Sequence, residues 1–271
     1  MTGVRLTLRY EPSVPLEAPS VRPDALASLT ESEIARLPAL HGNQPARLGD
    51  FFDVKGGHSD EVRVVGDVGR VKHLGAGMAG GRLVVEGSPG MHAGSGMRGG
   101  HLRIEGNADD WTGALMRGGT IEVLGNAGAR LGGAYAGSTR GMTGGTVLVH
   151  GSAGDHAGDR LRRGLIAVAG HAGPYAGSHM IAGTVVVCGD LDRGAGIGLK
   201  RGTIVAGGAV TILPTFRFAC AYRPAFLALL FRHLEQRGFP LTPHLHSGHF
   251  RRYGGDNADV GRGEVLQWVS E

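Results

Sequence analysis

Residues 82–100 read RLVVEGSPGMHAGSGMRGG, and residues 101–119 read HLRIEGNADDWTGALMRGG. Laid over one another, both open on a strand-like apolar alternation, pass through spaced glycines and close on Met-Arg-Gly-Gly. Outward from there, the closing glycine recurs at Gly81, Gly100, Gly119, Gly145, Gly164, Gly183 and Gly202, in steps of 19, 19, 26, 19, 19 and 19 residues. Met78, Met97, Met116, Met142, Leu161, Met180 and Leu199 keep the same beat three residues ahead. Gly87, Gly106, Gly125, Gly151, Gly170, Gly189 and Gly208 keep it six residues behind. Three phased columns at a period near 20 residues predict a solenoid, whose repeats bury an apolar face only against their neighbours.

The pattern inside one repeat predicts the fold class. After each turn comes a β-branched run bounded by glycine, such as 120–124 or 184–188, which is the signature of a strand. Alternation points Leu83/Val85, Leu102/Ile104, Ile121/Val123, Val147/Val149, Ile166/Val168 and Val185/Val187 inward. The glycines that follow, Gly87, Gly90 and Gly94 in one repeat, permit positive φ and a close approach of the next repeat. The expectation is an all-β chain wound as a right-handed parallel β-helix of roughly seven to eight coils, stacked about 4.8 Å apart. Two departures stand out. The 26-residue step adds Ala134–Arg140 and predicts a protruding loop, and the first coil, Glu61–Gly80, is irregular, as a terminal coil should be.

Composition narrows the function classes. No apolar run reaches 18 residues and no basic-then-apolar leader is visible, so the chain reads as soluble and cytoplasmic, without a membrane. Cys188 and Cys220 supply neither a disulfide framework nor a four-thiolate site. The net charge is +4, carried by 25 Arg against 3 Lys, which suits an anionic ligand or partner. With no basic helix and no aromatic–basic face, a nucleic-acid partner is not expected.

The chain divides into an N-terminal arm and cap (1–53), the repeats (54–213) and a C-terminal helix and docking tail (214–271). Thr30 and Glu33 form a capping box ahead of a short helix. Pro224 opens and Gly238 closes a second helix over Ala225–Arg237, whose Phe226, Leu229, Leu230 and Leu234 predict its apolar stripe.

Equivalent positions in a solenoid line up as columns. Two residues before each turn glycine stand Ala79, Arg98, Arg117, Thr143, Arg162, Ile181 and Lys200. Arg98, Arg117, Arg162 and Lys200 are therefore candidate ligand-binding residues: stacked cations repel unless something anionic lies between them, the alternative being arginines fanned into solvent. His73, His92, Trp111, Arg130, His156 and Tyr175 form a second column, read as a structural ladder. The outward strand positions Val84, Arg103, Glu122, Leu148, Ala167, Val186 and Val205 turn apolar from the fourth onward, so a helix or another chain must cover them. His244, His246 and His249 have a spacing that metal hydrolases use, but no nearby cysteine or paired carboxylates complete a shell. No nucleophile or acid–base motif appears. No catalytic or metal residue is assigned.

The repeated glycine pattern and the Met-x-Gly-Gly turns resemble the GXGXG β-helix family. That family includes the C-terminal domain of glutamate synthase large subunits and the C subunit of formylmethanofuran dehydrogenase. Pro38, Leu48 to Phe52, Thr215-Phe216, Gly255-Asp256 and Gly261 to Leu266 resemble the C-subunit branch found in the bacterial formyltransferase/hydrolase complex of methylotrophs. The resemblance implies a non-catalytic structural subunit. Its partners would be an amidohydrolase-like subunit, a formyltransferase subunit and a further structural subunit. Together they move a formyl group from tetrahydromethanopterin to a methanofuran-type cofactor and release formate during formaldehyde oxidation. It also implies no catalytically bound cofactor on this chain, but a contact of Arg98, Arg117, Arg162 and Lys200 with the cofactor's glutamate-rich tail or an acidic face of another subunit. The alternatives are the C subunit of a molybdenum or tungsten formylmethanofuran dehydrogenase, and a stand-alone metal-dependent hydrolase using His244, His246 and His249.

Overall fold

A computed structural model describes residues 3–270. The N-terminal part supplies β1 (Val4–Leu8), β2 (Leu16–Glu17), α1 (Pro23–Leu26), α2 (Glu31–Ala35), β3 (Pro38–His41), β4 (Gln44–Arg47), α3 (Leu48–Phe51) and β5 (Phe52–Lys55). The Thr30/Glu33 box caps α2 as its sequence predicts. One strand per repeat follows: β6 (Glu61–Val65), β8 (Arg82–Glu86), β9 (His101–Ile104), β10 (Thr120–Val123), β11 (Thr146–Val149), β12 (Leu165–Val168), β13 (Thr184–Val187) and β14 (Arg201–Ala206). The short β7 (Val71–Lys72) lies within the first repeat and pairs with β2. The C-terminal part adds β15 (Arg217–Tyr222), α4 (Ala225–Glu235), β16 (His249–Gly255) and β17 (Arg262–Val269).

The chain is mostly β, with a 13-stranded sheet in the order β15-β16-β17-β14-β13-β12-β11-β10-β9-β8-β6-β1-β5. Every pair from β1 through to β17 is parallel, and the antiparallel pairs lie only at the two ends. The parallel run thus starts and finishes on strands from the flanks. β1 pairs beside β6, and β17 pairs beside β14. Register follows the repeat, placing Val84, Arg103, Glu122, Leu148, Ala167, Val186 and Val205 opposite one another in succession.

Successive repeats are also joined away from this sheet. Ala108, Ala127, Ala153, Ala172, Leu191 and Val210 form a second parallel ladder. At the turn, the N–H of Arg98, Arg117 and Thr143 bonds the carbonyl of Met78, Met97 and Met116 respectively, each at 2.7 Å. Between the strands and this ladder, a row of side chains completes the bonding. Ser88, Asn107, Asn126, Ser152, His171 and Asp190 each accept a hydrogen bond from the backbone N–H of the equivalent residue in the next repeat, at 2.7–3.1 Å. These side chains supply acceptors to the backbone N–H groups where the strands have ended.

The inward alternation and the methionine column form one core: Leu83, Val85, Met97, Met116, Ile166 and Met180 are all fully buried. Gly100 shows why the turn column is invariably glycine. Its φ is +78°, and a Cβ there would meet the Met78 methyl at 2.5 Å and the Gly81 carbonyl at 2.7 Å.

A second apolar cluster lies on the outer face of the sheet. Leu148, Ala167, Val186, Val205 and Leu266 are covered by Leu227, Phe231 and Leu234 of α4, with Phe239, Leu245 and Phe250. The expected cover of the outer strip is therefore the C-terminal helix. Its buried face differs from the predicted stripe. Leu227, Phe231 and Leu234 face the sheet, while Phe226 and Leu229 are 42% and 69% exposed. The helix ends at Glu235 rather than Arg237. The segment after α4 is pinned at Asp256, which accepts the N–H of Gly198 at 3.0 Å and of Ala258 at 2.9 Å. Burial alone pushes that carboxyl up, but the hydrogen bonds it accepts outweigh burial and hold it below the usual carboxylate range.

Candidate functional site

The seven-residue insertion Ala134–Arg140 reaches back to the preceding repeats, setting the Tyr135 ring against His92 and Trp111. It is anchored by Tyr135, whose hydroxyl lies 2.9 Å from Nδ1 of His92. Burial pushes the Tyr135 phenol up, so it remains a neutral partner for that imidazole. The anchor places Arg140, at the end of the insertion, beside the column of turn residues. The result is a groove of 660 Å³ lined by Leu115, Arg117, Ser138, Arg140, Gly141, Thr143, Arg162 and Arg163.

Four guanidiniums and two hydroxyls line this groove, and no carboxylate does. Arg117, Arg140, Arg162 and Arg163 make no ion pair among the described residues. Each presents a planar fork of N–H donors suited to carboxylate or phosphate oxygens. Backbone bonding fixes their spacing, because the N–H of Arg117 is tied to Met97 and that of Arg162 to Met142. Of the four residues singled out from the sequence, the structure brings Arg117 and Arg162 together here. Arg98 is exposed one repeat before Arg117. Lys200 lies two repeats beyond Arg162, and its ammonium is 3.6 Å from Asp259. Arg140 is the member that column logic misses, since it sits in the insertion and belongs to no column. Its signal was an arginine closing the segment that lengthens one step from 19 to 26 residues.

The aromatic column is stacked as expected. His73 and His92 have ring centroids 4.6 Å apart and planes within 9°, and His156 and Tyr175 stack at 5.0 Å. Arg130 interrupts the rings between Trp111 and His156. All six column residues have φ between 56° and 69°. Burial pushes the His73 and His92 imidazoles below their ordinary value.

The three C-terminal histidines do not converge. His244 Nε2 lies 3.1 Å from the Gly207 carbonyl, His246 Nε2 pairs with Glu235 at 2.8 Å, and His249 sits on β16 opposite Val269. Among the described residues no three His, Cys, Asp or Glu side chains are grouped to hold a metal. Ser178, His156 and Asp159 do meet, but in an order unsuited to nucleophilic attack. The Ser178 hydroxyl donates to Asp159 at 2.9 Å, leaves His156 on its other side at 3.2 Å, and is 1% exposed.

No family model matches the chain. Among curated proteins it is 40% identical over 96 residues to the C subunit of the tungsten-containing formylmethanofuran dehydrogenase 2 of Methanothermobacter wolfeii, covering 34% of this chain and 36% of that protein. It is 37% identical over 91 residues to the C subunit of the molybdenum-containing formylmethanofuran dehydrogenase 1 of Methanothermobacter thermautotrophicus, covering 33% and 23%. The match thus spans about a third or less of the length of these curated relatives. Among solved structures, a chain of the formyltransferase/hydrolase complex (FhcABCD) from Methylorubrum extorquens, determined with methylofuran, superposes with a TM-score of 0.91 at 38% identity. That superposition covers 98% of this chain and 99% of the other. Sequence agreement with the archaeal subunits and near-complete structural agreement with the bacterial complex lead to one assignment: the chain belongs to the family of formylmethanofuran dehydrogenase C subunits.

Proposed function

We propose that this protein is the non-catalytic structural subunit of a formyltransferase/hydrolase complex. That complex moves a formyl group from tetrahydromethanopterin to a methanofuran-type cofactor and releases formate. The observation that carries the reading is the near-complete match, 98% of this chain to 99% of one chain of such a complex, against dehydrogenase matches confined to about a third of the chain. In this reading residues 54–213 form a right-handed parallel β-helix, and 1–53 and 214–271 act as cap and docking segments. The side-chain chemistry agrees with a scaffold, because the buried Ser178 hydroxyl donates its hydrogen bond to Asp159 and not to His156.

The groove fits the acidic, glutamate-rich tail of the cofactor or an acidic face of a partner subunit. Arg117, Arg140, Arg162 and Arg163 would pair with carboxylates, and Thr143 and Ser138 would donate beside them. Arg98 extends the track by one repeat. This chain's part is to bind and orient, while the formyl chemistry is supplied by the cofactor and other subunits. Arg117→Glu combined with Arg162→Glu should lower cofactor retention by the purified complex at least tenfold, or block assembly. Unchanged retention and assembly would refute the groove's role. A second reading, the C subunit of a tungsten or molybdenum dehydrogenase, draws on the 37–40% identity of the matched segment. Purification from the native host separates the two by the subunits that accompany this chain.

A further inference from the structure

The insertion covers a second cleft on its other side, of 430 Å³, bounded by Trp111, Arg130, Tyr135, His156, Asp159 and Arg160. Asp159 is the fixed element, 6% exposed, with Oδ1 accepting the Ser178 hydroxyl. Around its carboxylate stand Arg130 Nη1 at 3.7 Å and Arg160 Nε at 3.9 Å. Neither is within hydrogen-bonding distance. The carboxylate therefore orients both guanidiniums through charge but leaves their N–H donors free. Two guanidiniums against one carboxylate also leave the cleft net positive, and both arginines are partly open to solvent, 38% and 41% exposed.

Trp111 lines the cleft with its ring, since its indole Nε1 is closed off from solvent. The apolar side of the cleft is the Tyr135 ring, held by its bond to His92 and 6.4 Å from the Trp111 ring.

We propose that this cleft binds a small carboxylate carrying a flat ring, with its oxygens on Arg130 and Arg160 and its ring against Tyr135. The site shares no arginine with the basic groove, and it holds whether or not the groove binds an acidic chain.

Trp111 and Trp268 are the chain's two tryptophans, so Trp268→Phe leaves Trp111 as the sole fluorescent reporter. Titrating that full-length protein with benzoate should change its emission saturably. Acetate, which lacks the ring, should bind at least tenfold more weakly, and benzylamine, which reverses the charge, should give no saturable change. Arg130→Gln with Arg160→Gln should weaken the benzoate response at least tenfold, whereas Arg117→Gln with Arg162→Gln should leave it intact. The proposal is overturned by any of three results: no saturable response to benzoate, an equal response to acetate or benzylamine, or full binding by the folded Arg130/Arg160 double variant. Should that double variant not fold, the three-ligand comparison on the intact arginines decides alone.

Discussion

His73 and His92 face each other in the left-handed region of backbone space, at φ of 63° and 69°. A bulky residue there carries a cost of about 1–2 kcal/mol, which ring stacking and backbone bonds to the next repeat help offset. Burial holds both imidazoles below their ordinary value, and for His92 the neighbouring imidazole adds to the effect. A histidine with a depressed folded pKa lends stability that is complete above its unfolded value, about 6.5, and is lost as pH falls. The melting temperature should therefore decline between pH 7 and pH 5, and His92→Gln should make that decline shallower. An equally steep decline in the variant would place the titration elsewhere. This column was legible in the sequence because its members share a planar shape. The row from Ser88 to Asp190 was not, because serine, asparagine, histidine and aspartate share only an acceptor atom, which no hydrophobic pattern reveals.

At the scale of elements, α4 shows how far patterning reaches. The apolar column Leu148, Ala167, Val186 and Val205 announced that something must cover it, and the helix does. Which face would turn inward was not readable, because α4 is apolar on two sides. Phe226 and Leu229 compete with Leu227, Phe231 and Leu234, and only the contour of the sheet decides between them. Phe231→Ala should cost about 3–5 kcal/mol in urea unfolding, the range for an aromatic side chain removed from a packed core. Leu229→Ala, at an exposed position, should fall within about 0.5 kcal/mol of the parent. Similar losses at both sites would mean that the helix packs on its other face. The groove divides in the same way: the sequence located Arg117 and Arg162, whereas the fold of the insertion alone brought Arg140 to them.

Across the whole molecule the 19-residue period is a mechanical constraint, since strands, side-chain row and turn must all stay in register at once. Removal of residues 82–100 joins Gly81 to His101 and keeps every column in phase. That shortened chain should fold cooperatively with a sheet-type circular dichroism spectrum and a lower melting temperature, in keeping with nearest-neighbour stabilisation. Deletion of 82–99, one residue fewer, leaves the columns out of phase and should abolish cooperative unfolding. If the two deletions behave alike, register is not what holds the molecule together. The central period was plain in the sequence. The recruitment of β1 and β17 to its ends was not, because a lone strand carries no beat to recognise.

The Ala134–Arg140 loop has a further consequence. It adds seven residues at a corner while the strands on either side, β10 and β11, remain paired from Thr120↔Thr146 to Val123↔Val149. Length can therefore change there without being transmitted to the strand register. It is a natural port at which foreign peptide could be spliced in, or the neighbouring clefts reshaped, while the supporting frame stays as it was.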